Sequence, residues 1–206
     1  MNNNNYIIAH CEISKNGVYK NGQKIFDGPA EDVQDILLTI YQHLNLNYPK
    51  FYKMDSLSKL GWLASEVLLA GENIIKDARP QDVGVILSNA NSSLDTDIKY
   101  LHTVQDFASP ALFVYTLPNI VTGEICIKNN FKGESAFFIS DALDAAFTEQ
   151  YVNYLLNNNI LQVCICGWVE ILKDNYKAVL FLVAKATEGT LFTKENLDNI
   201  FNRQTL

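Results

Sequence analysis

The chain has 206 residues, 48% of them hydrophobic and 11% aromatic, enough to bury a sizeable core within one domain. Its net charge of -7 and pI near 4.9 argue against nucleic acid or an anionic membrane as the main partner, because those surfaces call for clustered Lys and Arg. No apolar run is long enough to span a bilayer, and Met1-Asn-Asn-Asn-Asn5 lacks the basic and hydrophobic regions of a signal peptide, which predicts a cytoplasmic protein.

In chain order, Tyr6 to Ile13 reads as a first strand, and the Lys15-Asn-Gly17 and Lys20-Asn-Gly22 segments read as turns, so residues 1–28 form an outlying strand or hairpin. From Pro29 to Leu44, the residues Val33, Ile36, Leu37, Ile40, Tyr41 and Leu44 recur at helical spacing. Tyr48-Pro-Lys-Phe-Tyr52 reads as a loop. Asp55 or Ser56 then caps a second helix that runs to Ala70 and ends at Gly71. Val83-Gly-Val-Ile-Leu-Ser88 is a short uninterrupted apolar run, as expected of a strand covered on both faces, and a polar loop follows it.

A further helix is expected over Ser93–Val104. Ser109 to Asn119 then leads by a short extended piece into another helix with Pro118 in its first turn. The apolar strand Ala136–Ser140 runs straight into a helix reaching Asn158, with Leu143, Phe147, Tyr151 and Leu155 at four-residue spacing. Gln162–Gly167 and Ala178–Ala184 read as buried strands, and Thr193–Phe201 as a helix within the terminal segment 186–206. Strands alternating with helices predict an α/β fold, a mostly parallel mixed sheet covered by helices on both faces.

Chemistry-bearing residues are sparse. His10, His43 and His102 stand in no metal or triad spacing, and G-x-S-x-G, Walker A and G-x-G-x-x-G sequences are absent. Cys11, Cys126, Cys164 and Cys166 lie in apolar stretches as reduced, buried thiols, and the lone C-x-C pair has no His nearby to complete a metal site. No cofactor is implied. The turn after Ala136–Ser140 is where an enzyme built this way would carry its nucleophile, and it offers Ser140, Asp141 and Ala142. Ser140 reads as the helix N-cap, with Asp141 and Asp144 favoured by the helix dipole.

Segment Asp82–Glu170 resembles the N-terminal half of β-ketoacyl synthases, of the thiolase-like fold. Asp82-Val-Gly-Val-Ile-Leu-Ser88 is similar to the family's Gly-containing strand. Ser109-Pro110 through Leu117-Pro-Asn119 and Gly123-Glu124-Ile125 is similar to its S/N-P-x-x-F…x-P-N…x-G-x-I segment. Phe131-Lys-Gly133 resembles its Leu-Lys-Gly, and Gly167-Trp-Val-Glu170 its Gly-Gly-Ala-Glu. With Gly133, Gly167 and Glu170 matched without a gap, the family's Thr-Ala-Cys falls on Ser140-Asp141-Ala142, so Ala142 replaces the acylated cysteine. The second half, which carries two catalytic His residues in the family, is missing from the 36 residues after Glu170.

The resemblance therefore implies the fold without the chemistry. It is closest to the short chain-length-factor-like subunits of aryl-polyene and flexirubin-type pathways, whose partner is a full-length β-ketoacyl synthase; a homodimer and an acyl carrier protein are the other partners implied. Ketosynthases dimerise by pairing the strand before the nucleophile, which here is Ala136, Phe137, Phe138, Ile139 and Ser140; Phe137 and Phe138 are the expected anchors, with Pro118 and Asn119 on the same surface. The competing expectations are residual acyl transfer through Ser140, Asp141 or Cys126, and an acyl-thioester-binding domain.

Overall fold

The computed structural model describes residues 4–27, 32–186 and 188–203. β1 (Asn5–Ser14), β2 (Gly17–Lys20) and β3 (Gln23–Phe26) form an antiparallel meander whose turns fall at the two Asn-Gly pairs. This is not an outlying hairpin. β1 also pairs along nearly its whole length with a late strand, and alternate residues from Ala9 to Ile13 enter the core.

The expected helix over Pro29–Leu44 is α1 (Val33–His43), capped by Asp32, which accepts the Gln34 N–H at 2.6 Å; Pro29 lies outside the described residues. Pro49–Lys53, read as a loop, is a 3-10 turn. It packs Phe51 against Tyr41 with ring centroids 4.3 Å apart, while Tyr48 stacks on Trp62 at 5.3 Å. Trp62 belongs to α2 (Ser56–Leu69), which starts at its cap Asp55. Eleven of its 14 residues are buried, because the sheet lies on one side and these aromatic rings on the other. After it come α3 (Ile74–Asp77), β4 (Val83–Asn89), α4 (Leu94–Val104), α5 (Pro110–Val114), α6 (Ile120–Asn129), β5 (Ser135–Ile139), α7 (Ala145–Asn157), β6 (Val163–Leu172), β7 (Asn175–Lys185), β8 (Thr190–Leu191) and α8 (Lys194–Phe201).

Two stretches depart from the sequence expectation. Pro110–Val114 is helical rather than extended, because Ser109 caps it by accepting the Leu112 N–H at 3.3 Å and Pro110 opens the first turn. The next helix starts at Ile120, so Pro118 precedes it.

The sheet order is β3-β2-β1-β7-β6-β4-β5, with β8 on β1. It is mixed and flanked by helices on both faces, as expected. α1, α2 and α6 pack with Cys11, Val85, Ile165 and Leu180 on one side; α7 and α8 pack with Ile86, Cys166 and Phe181 on the other. The expectation of mostly parallel strands fails: β4 runs parallel to β5 and β6, and every other pairing is antiparallel. The reason is the connection after β6. Lys173, at φ 55°, turns the chain back within two residues, so β6 and β7 are a long hairpin and no crossover helix intervenes. No helix of the described residues is long and apolar enough to cross a membrane.

Candidate functional site

Among the described residues β5 is the last strand of the sheet and pairs only with β4, Ile86 opposite Ala136 and Asn89 opposite Ile139. Its start is set by a close approach: a Cβ on Gly133 would lie 2.5 Å from the Val83 carbonyl, which accepts the Gly133 N–H at 3.1 Å. Its end is set by the Ser140 N–H, donated to the Asn89 carbonyl at 3.0 Å. Beyond this edge no strand of the described residues follows, so the outer N–H and C=O groups of β5 face outward. Ile139 is 52% exposed, and Ala136, Phe137 and Phe138 are half-buried.

The loop that follows differs from the sequence reading at Ser140. The helix starts at Ala145, and its cap is Asp144, which accepts the Phe147 N–H at 2.9 Å; Ser140 is not the cap. Ser140 Oγ donates instead to the Ala142 carbonyl at 2.7 Å, closing a local turn that delays the helix. Asp141 and Ala142 are exposed in that turn, ahead of the helix. The positive end of the helix dipole, the place where a thiolate or oxyanion would be stabilised, already holds the Asp144 carboxylate.

A cavity of about 230 Å³ opens at the carboxyl ends of β4 and β5, beside Gly167 in the middle of β6. Ile86, Phe138, Ile139 and Phe147 form its apolar wall, and Ser88, Ser140, Asp144 and Thr148 its polar side; Asp141 and Ala142 are not part of the lining. The wall is braced by an aromatic group, with Phe138 edge-on to Phe147 at 4.8 Å and to Tyr151 at 5.6 Å. Of the residues singled out in the sequence, the structure thus brings Phe138, Ile139 and Ser140 to one cavity. Pro118 and Asn119 lie elsewhere, in the turn before α6. In the sequence Asp144, Phe147 and Ser88 read only as helix-favouring, helix-spaced and strand residues, and Thr148 is not singled out; their meeting at one cavity is missed there because only the β4–β5 pairing places Ser88 beside the others.

The remaining candidates are dispersed. His10 lies on β1, His43 ends α1 and His102 sits in the last turn of α4; none lines the cavity. Burial pushes the Cys126 thiol up to about 11 and Cys11 up to about 12, and it raises Cys164 and Cys166 as well. Thiols so raised are poor nucleophiles at neutral pH. Cys164 and Cys166 share one face of β6, as the strand period requires, and both pack into the core.

Glu170, beyond the β4 end, accepts the Ala90 N–H at 2.7 Å and the Asn91 N–H at 3.1 Å through Oε2, fixing the loop after β4. Gly167, at φ 146°, lies where a Cβ would meet the Val179 carbonyl at 2.1 Å. The loop held by Glu170 leads into α4, which inverts the usual arrangement. Its buried residues are Asp95 and Thr96: Thr96 donates to Asp55 at 2.6 Å, and Asp95 pairs with Lys99 at 2.7 Å and accepts the Lys173 N–H. Leu94, Ile98, Leu101 and Val104 face outward, followed by Phe107, 80% exposed, and by Phe113, Val114 and Leu117 around α5.

The sequence matches no protein-family model and no curated protein. Solved structures do match. The ishigamide ketosynthase/chain length factor superposes with a TM-score of 0.67 at 14% identity, covering 89% of this chain and 62% of that one. The chain has the ketosynthase fold. A type II polyketide synthase acyl-carrier protein in complex with its ketosynthase bound to the hexaketide gives 0.64 at 16% identity, again covering 89% of this chain and 62% of that one. A ketosynthase in complex with its chain length factor from Xenorhabdus doucetiae gives 0.59 at 13% identity, covering 89% of this chain and 79% of that one. The chain therefore spans less than two thirds of the length of the first two ketosynthase-fold chains.

Proposed function

We propose that the chain is a non-catalytic, chain-length-factor-like subunit that binds a full-length β-ketoacyl synthase and helps shape an acyl-chain pocket in fatty-acid or polyene-type biosynthesis. The observation that carries the reading is the β5 edge, an apolar strand at the end of the sheet with no neighbour outside it among the described residues. Left open, such an edge invites strand pairing; covered by a partner strand, it becomes the centre of an interface with Phe137 and Phe138 as anchors. The outward apolar face of α4 and α5 supports the same reading, since a monomer gains nothing by directing Leu101 and Phe107 to water.

Three further features fit a subunit that has lost the chemistry. Ala142 holds no atom able to attack a thioester, the helix cap is filled by Asp144, and Cys11, Cys164 and Cys166 are buried with Cys126 half-buried, all four thiols being raised by burial. The aryl-polyene or flexirubin-type setting follows from the sequence resemblance.

Co-expression with a full-length β-ketoacyl synthase, followed by sedimentation velocity, tests the reading. A complex stable at about 10 μM, the affinity scale of a specific transient interface, is expected. Absence of any complex at that concentration overturns it. A covalent acyl adduct after incubation with acyl-carrier thioesters would overturn the non-catalytic part.

A further inference from the structure

We infer that the cavity between the ends of β4 and β5 and the start of α7 is a binding site for a small apolar molecule bearing a neutral or cationic hydrogen-bond donor, an alcohol or an amine, and that it rejects carboxylates. The inference rests on the reading of this loop as non-catalytic and names what the cavity beside it takes.

Size comes first. An apolar cavity of about 150 Å³ accepts a benzene ring, and the 230 Å³ here leaves space for a ring with a short substituted arm. The walls suit a ring: Phe138 and Phe147 meet edge to face at 4.8 Å, and Ile86 and Ile139 complete the apolar surface.

Polarity then decides the head group. The hydroxyls of Ser88, Ser140 and Thr148 and the Asp144 carboxylate line one side. Ser140 spends its proton on the Ala142 carbonyl, so its oxygen is left as an acceptor. Asp144 Oδ1 accepts the Phe147 N–H, and a carboxylate has further acceptor capacity on its second oxygen. Two acceptors at one wall call for a donor on the ligand. No Lys, Arg or His is among the described residues that line the cavity, and Lys194, whose charge reaches Asp144 from outside it, is already paired with Asp198 at 2.6 Å, so a ligand carboxylate would face Asp144 with no cation in the cavity to hold it.

Ligand titrations of the full chain with phenethylamine, phenethyl alcohol and hydrocinnamate, followed by backbone amide NMR, test the inference. The amine and the alcohol should bind saturably with a Kd of about 1 mM or below, as a ligand of about nine heavy atoms can, and should move the amides of Ser140 to Thr148. Hydrocinnamate should bind at least about tenfold more weakly. Asp144→Asn keeps the helix cap, because Asn caps as well as Asp; it should weaken the amine about tenfold and the alcohol by less, since both lose an acceptor and only the amine loses an opposite charge. No saturable binding of amine or alcohol overturns the inference. So do equal binding of hydrocinnamate, amide shifts elsewhere, or an amine affinity untouched in D144N. None of these results bears on whether a ketosynthase partner binds, which the sedimentation experiment reads separately.

Discussion

Ile139→Lys is the sharpest test of the β5 edge. Ile139 ends the strand, is 52% exposed, and its N–H and C=O belong to the outermost ladder of the sheet. In the isolated chain the change costs little, because a Lys can carry its charge into water from that position; a shift within about 0.5 kcal/mol is expected. In the complex, half of an isoleucine side chain is newly covered, worth about 1 kcal/mol at the usual area coefficient. Placing an unpaired ammonium there adds about 2–4 kcal/mol. Association should therefore weaken by about 3–5 kcal/mol, a factor of about 150 to 5,000. Sedimentation velocity of wild type and I139K against the same β-ketoacyl synthase reads the affinity, and urea unfolding of each isolated chain reads the stability. An affinity within threefold of wild type, with stability unchanged, would refute the assignment of β5 as the interface.

Gly167→Ala should destabilise the chain by about 3 kcal/mol or more, since it joins left-handed backbone strain to a Cβ held against the Val179 carbonyl; thermal unfolding within 2 °C of wild type would contradict this. Asp55 is half-buried, and its loss of surrounding water raises the carboxyl above the usual range despite hydrogen bonds from Thr96 and Ser58. The native state therefore takes up this proton at higher pH than the unfolded state does. The Asp55 contribution to stability improves as pH falls through the raised native value toward the model-peptide value of 3.8, and is least favourable above it. Asp55→Asn, which keeps a capping side chain, should thus gain on wild type at pH 7 relative to pH 4.5; a pH-independent difference in urea midpoints would refute the sign. Cys126, at about 11 against an ordinary 9.0, should react with iodoacetamide at pH 8 about a hundredfold more slowly than a free thiol. Alkylation of Cys126 at the rate of a free thiol in the folded chain would show that its burial is overstated.

What could be read from the sequence was local. Asp55 caps α2, the Asn-Gly pairs turn the first meander, and four-residue spacing marks α7, because caps and periodicity act within a few residues. The resemblance at Gly133, Gly167 and Glu170 also implied that Ala142 stands at the family's nucleophile position. Tertiary structure decided the rest. Whether α7 begins at Ser140 or Asp144 depended on which backbone group each side chain reached, and Ser140 turned to the Ala142 carbonyl. An apolar stripe on α4 looks the same in sequence whether it faces in or out; Asp55 and Lys173, distant along the chain, drew its polar side inward. β5 became an edge only through pairing with β4, nearly fifty residues earlier, and the hairpin of β6 and β7 put antiparallel strands where alternation predicted parallel ones. Such placements are set by contacts between distant segments, which no window of a few residues contains.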